Sequence, residues 1–468
     1  MKKTDLSFRR IFLRLSSSLL SLLVCYAVGL SYLPSAWSKA SGEKSLMTLP
    51  HKTATLKNGL RVVMVRYPSP GVVAYQLPVH AGSRNEVEKG KTGFAHFFEH
   101  LMFRGTKKRS SEDFGRIYNS LGCENNAWTS NDMTNYHGIV ASVYLPQILD
   151  AEADRFMNLS FDEKALKDEA GAVLGEYNKD VAQPEFQMEE ALMSLAFKVH
   201  PYGHTTMGYK ADVLDFPQRY KDVWPFFRRY YRPSNVSLIL VGDIEFNSML
   251  KLIEKKFGHW KDPDPIDEPV IPQEPQQKES RSASVTLDKP TQSRVAIAYK
   301  VPAFTTKNTD SAVMDLISEI YFSVTSEFQK EYRFQKKWVD SIEAGHPDSI
   351  DPGLWTINLR FSQEGESHVD EVIKAAEAVL AQLAKTPPTL EKLKATKKRF
   401  RSHAISQWFS SPETLAGRIA WYTNFEPDLQ VMDRVFDRFE EVQPQHLTSF
   451  AQKYFVETGK NTVRLKGN

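Results

Sequence analysis

Cysteine is nearly absent: the 468 residues hold two. Cys25 lies in an N-terminal apolar run, where "LLVCY" makes a poor lipobox, and Cys123 stands alone in the remainder. Once that run is removed no internal disulfide can form, and a cysteine-rich metal site is excluded. Any metal must be held by histidine and carboxylate. A surplus of one charge is lacking too. Against 60 Lys and Arg stand 57 Asp and Glu, a net +3. Residues 1–38 carry five basic side chains and one acidic, so the rest sums to about −1. That balance excludes a general nucleic-acid footprint.

What is present begins with an export pattern. Lys2, Lys3, Arg9, Arg10 and Arg14 precede an apolar run from Leu15 to Leu33, followed by small residues in "PSAWSKASG". This predicts a signal over residues 1–40, cleaved after Ser38 or Ala40, and a secreted or periplasmic protein. Left uncut, the run is about long enough to anchor the chain in a bilayer. "RRIFLR" hints at twin-arginine export, although Phe8 precedes it rather than Ser or Thr.

The remainder reads as two halves of similar length, 47–262 and 283–468. The segment 263–282, within "KDPDPIDEPVIPQEPQQKES", is rich in Pro and charge, has no periodic apolar residues, and reads as a linker. Each half opens on strand-like residues, "LRVVMV" and "RVAIAY". The half ends, "RYYRPSNVSLILVG" and "KYFVETGKNTVRLKG", look alike, a weak internal repeat. Amphipathic helical patterns such as "HVDEVIKAAEAVLAQLAK" follow in each. The expected class is α+β, with mixed sheets and helices in both halves.

One stretch carries the chemistry. "TGFAHFFEHLMFRGT" has helical spacing, with Gly105 as the expected stop. Phe94, Phe97, Phe98, Leu101 and Met102 form an apolar girdle. His96, Glu99, His100 and Phe103 fall at i, i+3, i+4 and i+7 on one face. A lone histidine in such a setting is ordinarily a satisfied core residue. A pair one turn apart, with a glutamate between, suits a single zinc ion, and a nearby cation offsets the cost of burying Glu99. Zinc held by two His needs a third protein ligand. The acidic helix "FDEKALKDEAGAVLGEYNKD" offers Glu169 and Glu176, two turns and roughly 10 Å apart along the axis, so both cannot bind one ion directly. Spacing alone does not choose between them.

His-x-x-Glu-His is the inverted zinc motif of the inverzincins. With "AGSRNE", "LGCENNAWTSNDMTNYH", "EAGAVLGEYNKD", "HPYGHTTMGYKADV" and "YYRPSNVSLILVGDI", the first half resembles the pitrilysin-type metallopeptidases, which include insulin-degrading enzyme and mitochondrial processing peptidase. The second half resembles them loosely. The resemblance implies two related domains, each a mostly antiparallel sheet with helices, enclosing part of a chamber that limits substrate size. It implies a zinc metalloendopeptidase acting on peptides or unfolded segments. His96, His100 and Glu176 would be the ligands, Glu169 a carboxylate beside them, and Glu99 the general base. "ENNAWTS" matches the segment that pairs with the substrate backbone, which singles out Asn126 and Ala127. Active members also carry an Arg and a Tyr seven residues apart in the other domain. Here Arg333 fits the Arg position, and Asp340 stands where the Tyr is expected. A dimer is therefore expected, with a related chain able to supply an Arg/Tyr pair. The competing expectation is a non-catalytic assembly member of the family, although such members commonly lose the zinc motif that this chain keeps.

Overall fold

Apolar runs sort into two mixed sheets in the computed structural model, which describes residues 47–263 and 269–467. The expected export signal lies outside the described residues. The first sheet comprises β1 (His51–Thr55), β2 (Arg61–Arg66), β3 (Val72–Val79), β4 (Glu124–Thr129), β5 (Thr134–Ala141) and β6 (Ser237–Gly242). Their order is β1-β2-β6-β3-β5-β4. Only β2 and β6 pair in parallel; the other neighbours are antiparallel. β6 is buried along its whole length, and its "SLILVG" lacks polar alternation because both of its faces are covered.

The second sheet comprises β7 (Arg281–Leu287), β8 (Arg294–Val301), β9 (Val339–Gly345), β10 (Gly353–Phe361) and β11 (Lys460–Gly467), ordered β7-β11-β8-β10-β9. β7 and β11 are parallel and the rest antiparallel. Leaving β1 aside, the two orders superpose strand for strand. The repeat is therefore structural, but its register differs from the one expected. "RVAIAY" is β8, the counterpart of β3, whereas the counterpart of β2 is β7, "RSASVTL". β7 alternates half-buried and exposed residues at a sheet edge, so it lacks the apolar run that marks β2. It also begins at Arg281, two residues inside the segment expected to be linker.

Contacts gather Leu49–Asn468 into one unit; of the other, Met1–Thr48, only the last two residues are described. Within the large unit the halves exchange helices. The helix Pro184–Ala196 packs on β7 and β11, and the helix Pro412–Phe425 packs on β3 and β6. The architecture is α+β, as expected. Among the described residues no helix is long and apolar enough to cross a membrane.

A charge pair sits at the centre of the first half. Glu152 and Arg155, on the helix Leu145–Asn158, are 0% and 2% exposed. Glu152 Oε1 accepts from Tyr75 and Tyr118 hydroxyls at 2.9 Å each and from Arg155 Nη2 at 2.5 Å. The Arg155 guanidinium lies 4.7 Å over the Phe103 ring. Removing one partner of such a pair leaves an uncompensated buried charge, so Glu152→Ala is expected to cost about 3–5 kcal/mol. Urea denaturation checks this; a loss below about 1 kcal/mol, the scale of an exposed pair, contradicts the pair's structural weight.

Candidate metal centre

The motif helix runs from Phe94 to Leu101, ending four residues before the expected stop at Gly105. Its start is fixed by a crossing of two loops. Gly93 has φ +87°, and a Cβ there would lie 2.5 Å from Met207 O; Gly208 has φ +78°, and a Cβ there would lie 2.5 Å from Thr92 backbone atoms. Both positions need glycine for conformation and for room. The buried Glu86 carboxyl accepts the Gly93 and Ala95 N–H groups at 2.6 Å each, satisfying donors that a helix start leaves unpaired. The expected girdle is present. Phe97 stacks on Phe216 at 4.5 Å between centroids, and Phe98 on Phe226 at 5.1 Å. These contacts orient the helix and leave His96, Glu99 and His100 on its remaining face.

The acidic helix Glu163–Val181 packs against that face. Glu176 Oε2 lies 3.9 Å from His96 Nε2 and 3.4 Å from His100 Nε2. One donor atom from each of the three residues falls within 4.8 Å of the others, the only such His/Cys/Asp/Glu group among the described residues. Glu169 points elsewhere: its Oε1 meets His100 Nδ1 at 2.9 Å, and its Oε2 pairs with Arg104. The geometry thus separates the two glutamates that spacing left equivalent. By accepting the Nδ1 proton, Glu169 turns His100 Nε2 toward Glu176, so that loss of the Nε2 proton leaves a lone pair there for a metal.

Electrostatics follow from burial and these contacts. Burial, with His100 nearby, holds His96 down to about 4, so it is neutral near pH 7. Burial also disfavours charge on His100, but Glu169 and Glu176 overcome it and push His100 up to about 10 in the metal-free protein. Burial pushes the Glu99 carboxyl above its usual range, partly offset by the Thr129 hydroxyl, which donates to Glu99 Oε2 at 2.6 Å. A neutral imidazole, a second imidazole freed of its proton and a carboxylate make a three-donor set that fits zinc, one short of its usual four ligands.

The other expected residues are not among the three clustered donors. Asn126 and Ala127 are in β4, the outermost strand of its sheet, with Asn126 exposed and its Oδ1 accepting the Ala127 N–H at 2.9 Å. Arg333 sits in a π-helical turn, Lys330–Gln335, and donates to Gln329 Oε1 at 3.4 Å. Asp340 opens β9 and accepts from Gln292 at 2.6 Å. Neither makes a hydrogen bond or ion pair with the histidines or Glu176. Sequence reasoning did not single out Glu86, Arg104 or Thr129. All three fall within the motif stretches, but Arg104 and Thr129 are not metal-ligand types, and no spacing ties Glu86 to the histidine pair.

The sequence model described as insulinase (peptidase family M16) matches residues 61–210, and the one described as the peptidase M16 inactive domain matches residues 219–400. The zinc protease PqqE of Helicobacter pylori is 31% identical over 428 residues, 89% of this chain and 93% of its own. The chain belongs to peptidase family M16. A solved protease from Helicobacter pylori superposes with a TM-score of 0.82 at 29% identity, covering 89% of this chain and 99% of its own. The probable mitochondrial-processing peptidase subunit beta of Schizosaccharomyces pombe is 31% identical over 208 residues, 44% of this chain and 45% of its own.

Two measurements follow for this M16 chain. Titrating metal-free protein with zinc should release protons, and affinity should rise with pH through the neutral range, because His100 must shed a proton that it holds up to about 10. Calorimetry in buffers of different ionisation enthalpy checks this; no proton release contradicts it. In the second, His100→Ala or Glu176→Ala should abolish tight zinc binding, whereas Glu169→Gln should keep the site with affinity lowered about 10- to 100-fold, as for loss of a residue that orients a ligand. Metal analysis and competition with a chelator distinguish the cases; full zinc in His100→Ala contradicts the assignment.

Proposed function

We propose that the chain is an exported zinc metalloendopeptidase, periplasmic or secreted, that hydrolyses peptides or unfolded segments. The convergence of His96, His100 and Glu176 beside Glu99, whose carboxylate bonds to Thr129 rather than to any of the three, carries this reading. Zinc, when bound by those three residues, supplies Lewis acidity toward water and the scissile carbonyl. Glu99 takes the proton of the attacking water and passes it to the leaving amine. Burial suits it to the task by raising its proton affinity toward the working pH. Glu169 and Arg104 hold His100 in its ligating orientation. β4 offers its free edge to an extended peptide, and main-chain pairing of this kind makes little demand on sequence. Asn126 and Ala127 lie on that edge. The basic and apolar pattern of residues 1–40 supports export.

Arg333 supplies one of the two groups that active family members place across the chamber, and Asp340 cannot supply the other. A tyrosine donates to a developing oxyanion; an ionised aspartate only accepts and repels it. The reading therefore includes a dimer in which a related chain contributes an Arg/Tyr pair.

Glu99→Gln is expected to keep zinc and fold while losing about 10²- to 10⁴-fold in peptide turnover, because the amide cannot accept the water proton. Release of zinc by this variant would make Glu99 a ligand instead. The chain alone should turn over an unstructured peptide weakly, and a related chain bearing the Arg/Tyr pair should raise the rate about 10²- to 10³-fold, the scale of one oxyanion donor. Vigorous turnover by the single chain, undiminished in Arg333→Ala, contradicts the need for a partner.

A further inference from the structure

We infer that Thr129 is a positioning residue for Glu99, fixing the carboxylate by reference to the strand that receives the peptide; this rests on the reading of Glu99 as the base. The Thr129 hydroxyl donates to Glu99 Oε2 at 2.6 Å, and no other protein group hydrogen-bonds that carboxylate among the described residues. A hydroxyl–carboxylate bond this short belongs to the strong, charge-assisted kind. The donor is well anchored. Thr129 is the last residue of β4, opposite Thr134 of β5, and the turn beyond it is closed by Ser130 N–H donating to Met133 O at 2.8 Å. A β-branched side chain on a strand has little χ1 freedom. Glu99, by contrast, has three side-chain torsions, and among the described residues the Thr129 hydroxyl is the one hydrogen-bond partner that restrains its carboxylate. Holding Oε2 leaves Oε1 to take the proton. Because Thr129 belongs to the outermost strand of the sheet, the base is registered to the same main chain that the peptide pairs with.

The plain alternative is that Thr129 merely ties strand to helix. Thr129→Val keeps the shape and removes the donor, while Thr129→Ser keeps a hydroxyl. In Thr129→Val, kcat for an unstructured peptide should fall about 10- to 100-fold, the worth of a hydrogen bond to a charged group. KM, zinc per chain, and the calorimetric affinity of the metal-free protein for the same peptide should stay unchanged, and Thr129→Ser should recover most of kcat. In a Glu99→Gln background the valine should cost nothing further, because the two act through one group. A wild-type kcat in Thr129→Val overturns the proposal, as does loss of zinc or peptide affinity in that variant, or an equal defect in the serine variant. If Glu99→Gln is inactive while any of these holds, only the role of Thr129 falls. A fully active Glu99→Gln removes the base itself, and the proposal with it.

Discussion

Glu169 accepts the Nδ1 proton of His100 at 2.9 Å, and the rest of the centre depends on that contact. An imidazole has two nitrogens, and only a partner at one of them decides which is left to bind. Without Glu169, His100 could turn either nitrogen toward Glu176. With it, both histidines present Nε2 to one carboxylate from a second helix. Burial disfavours charge on Glu169, but His100 and, on its other oxygen, Arg104 together hold the carboxyl below its usual range and in place. The arrangement spans three turns of chain on two helices, so their packing must be held closely.

That packing is supplied by apolar contacts rather than by the polar groups themselves. Phe97 and Phe98 lock the motif helix against aromatic rings, Glu86 caps its start, and the Gly93–Gly208 crossing admits no side chain at either position. Glu99 is left half-free: burial raises its proton affinity, and one hydroxyl from the edge strand restrains it. On the proposed reading, the same helix carries ligands that must not move and a base that must exchange protons. Only the ligands are held by a second helix.

Much of this was legible in the sequence. The i,i+4 histidines with Glu99 between them were visible because helical spacing puts them on one face, whatever the tertiary structure. The choice between Glu169 and Glu176 was not, since it depends on where the acidic helix crosses the motif helix; only the family resemblance favoured Glu176. The repeat was visible at β6 and β11, which share a closing pattern, but misregistered at the openings. A buried run such as β2 resembles any other buried run, β8 included. β7, half exposed at a sheet edge, resembles a loop. The helix exchange between halves left no local mark, because a helix that packs on the other half's sheet has the same amphipathic pattern as one that packs on its own.

The central claim is that one metal is held by His96, His100 and Glu176, with Glu169 outside its reach. Anomalous diffraction at the zinc edge from zinc-loaded crystals tests it most directly. The account predicts a single strong peak about 2.0–2.2 Å from Nε2 of both histidines and from a Glu176 oxygen. A peak bonded to Glu169 in place of Glu176, or no peak at this helix pair, would contradict it.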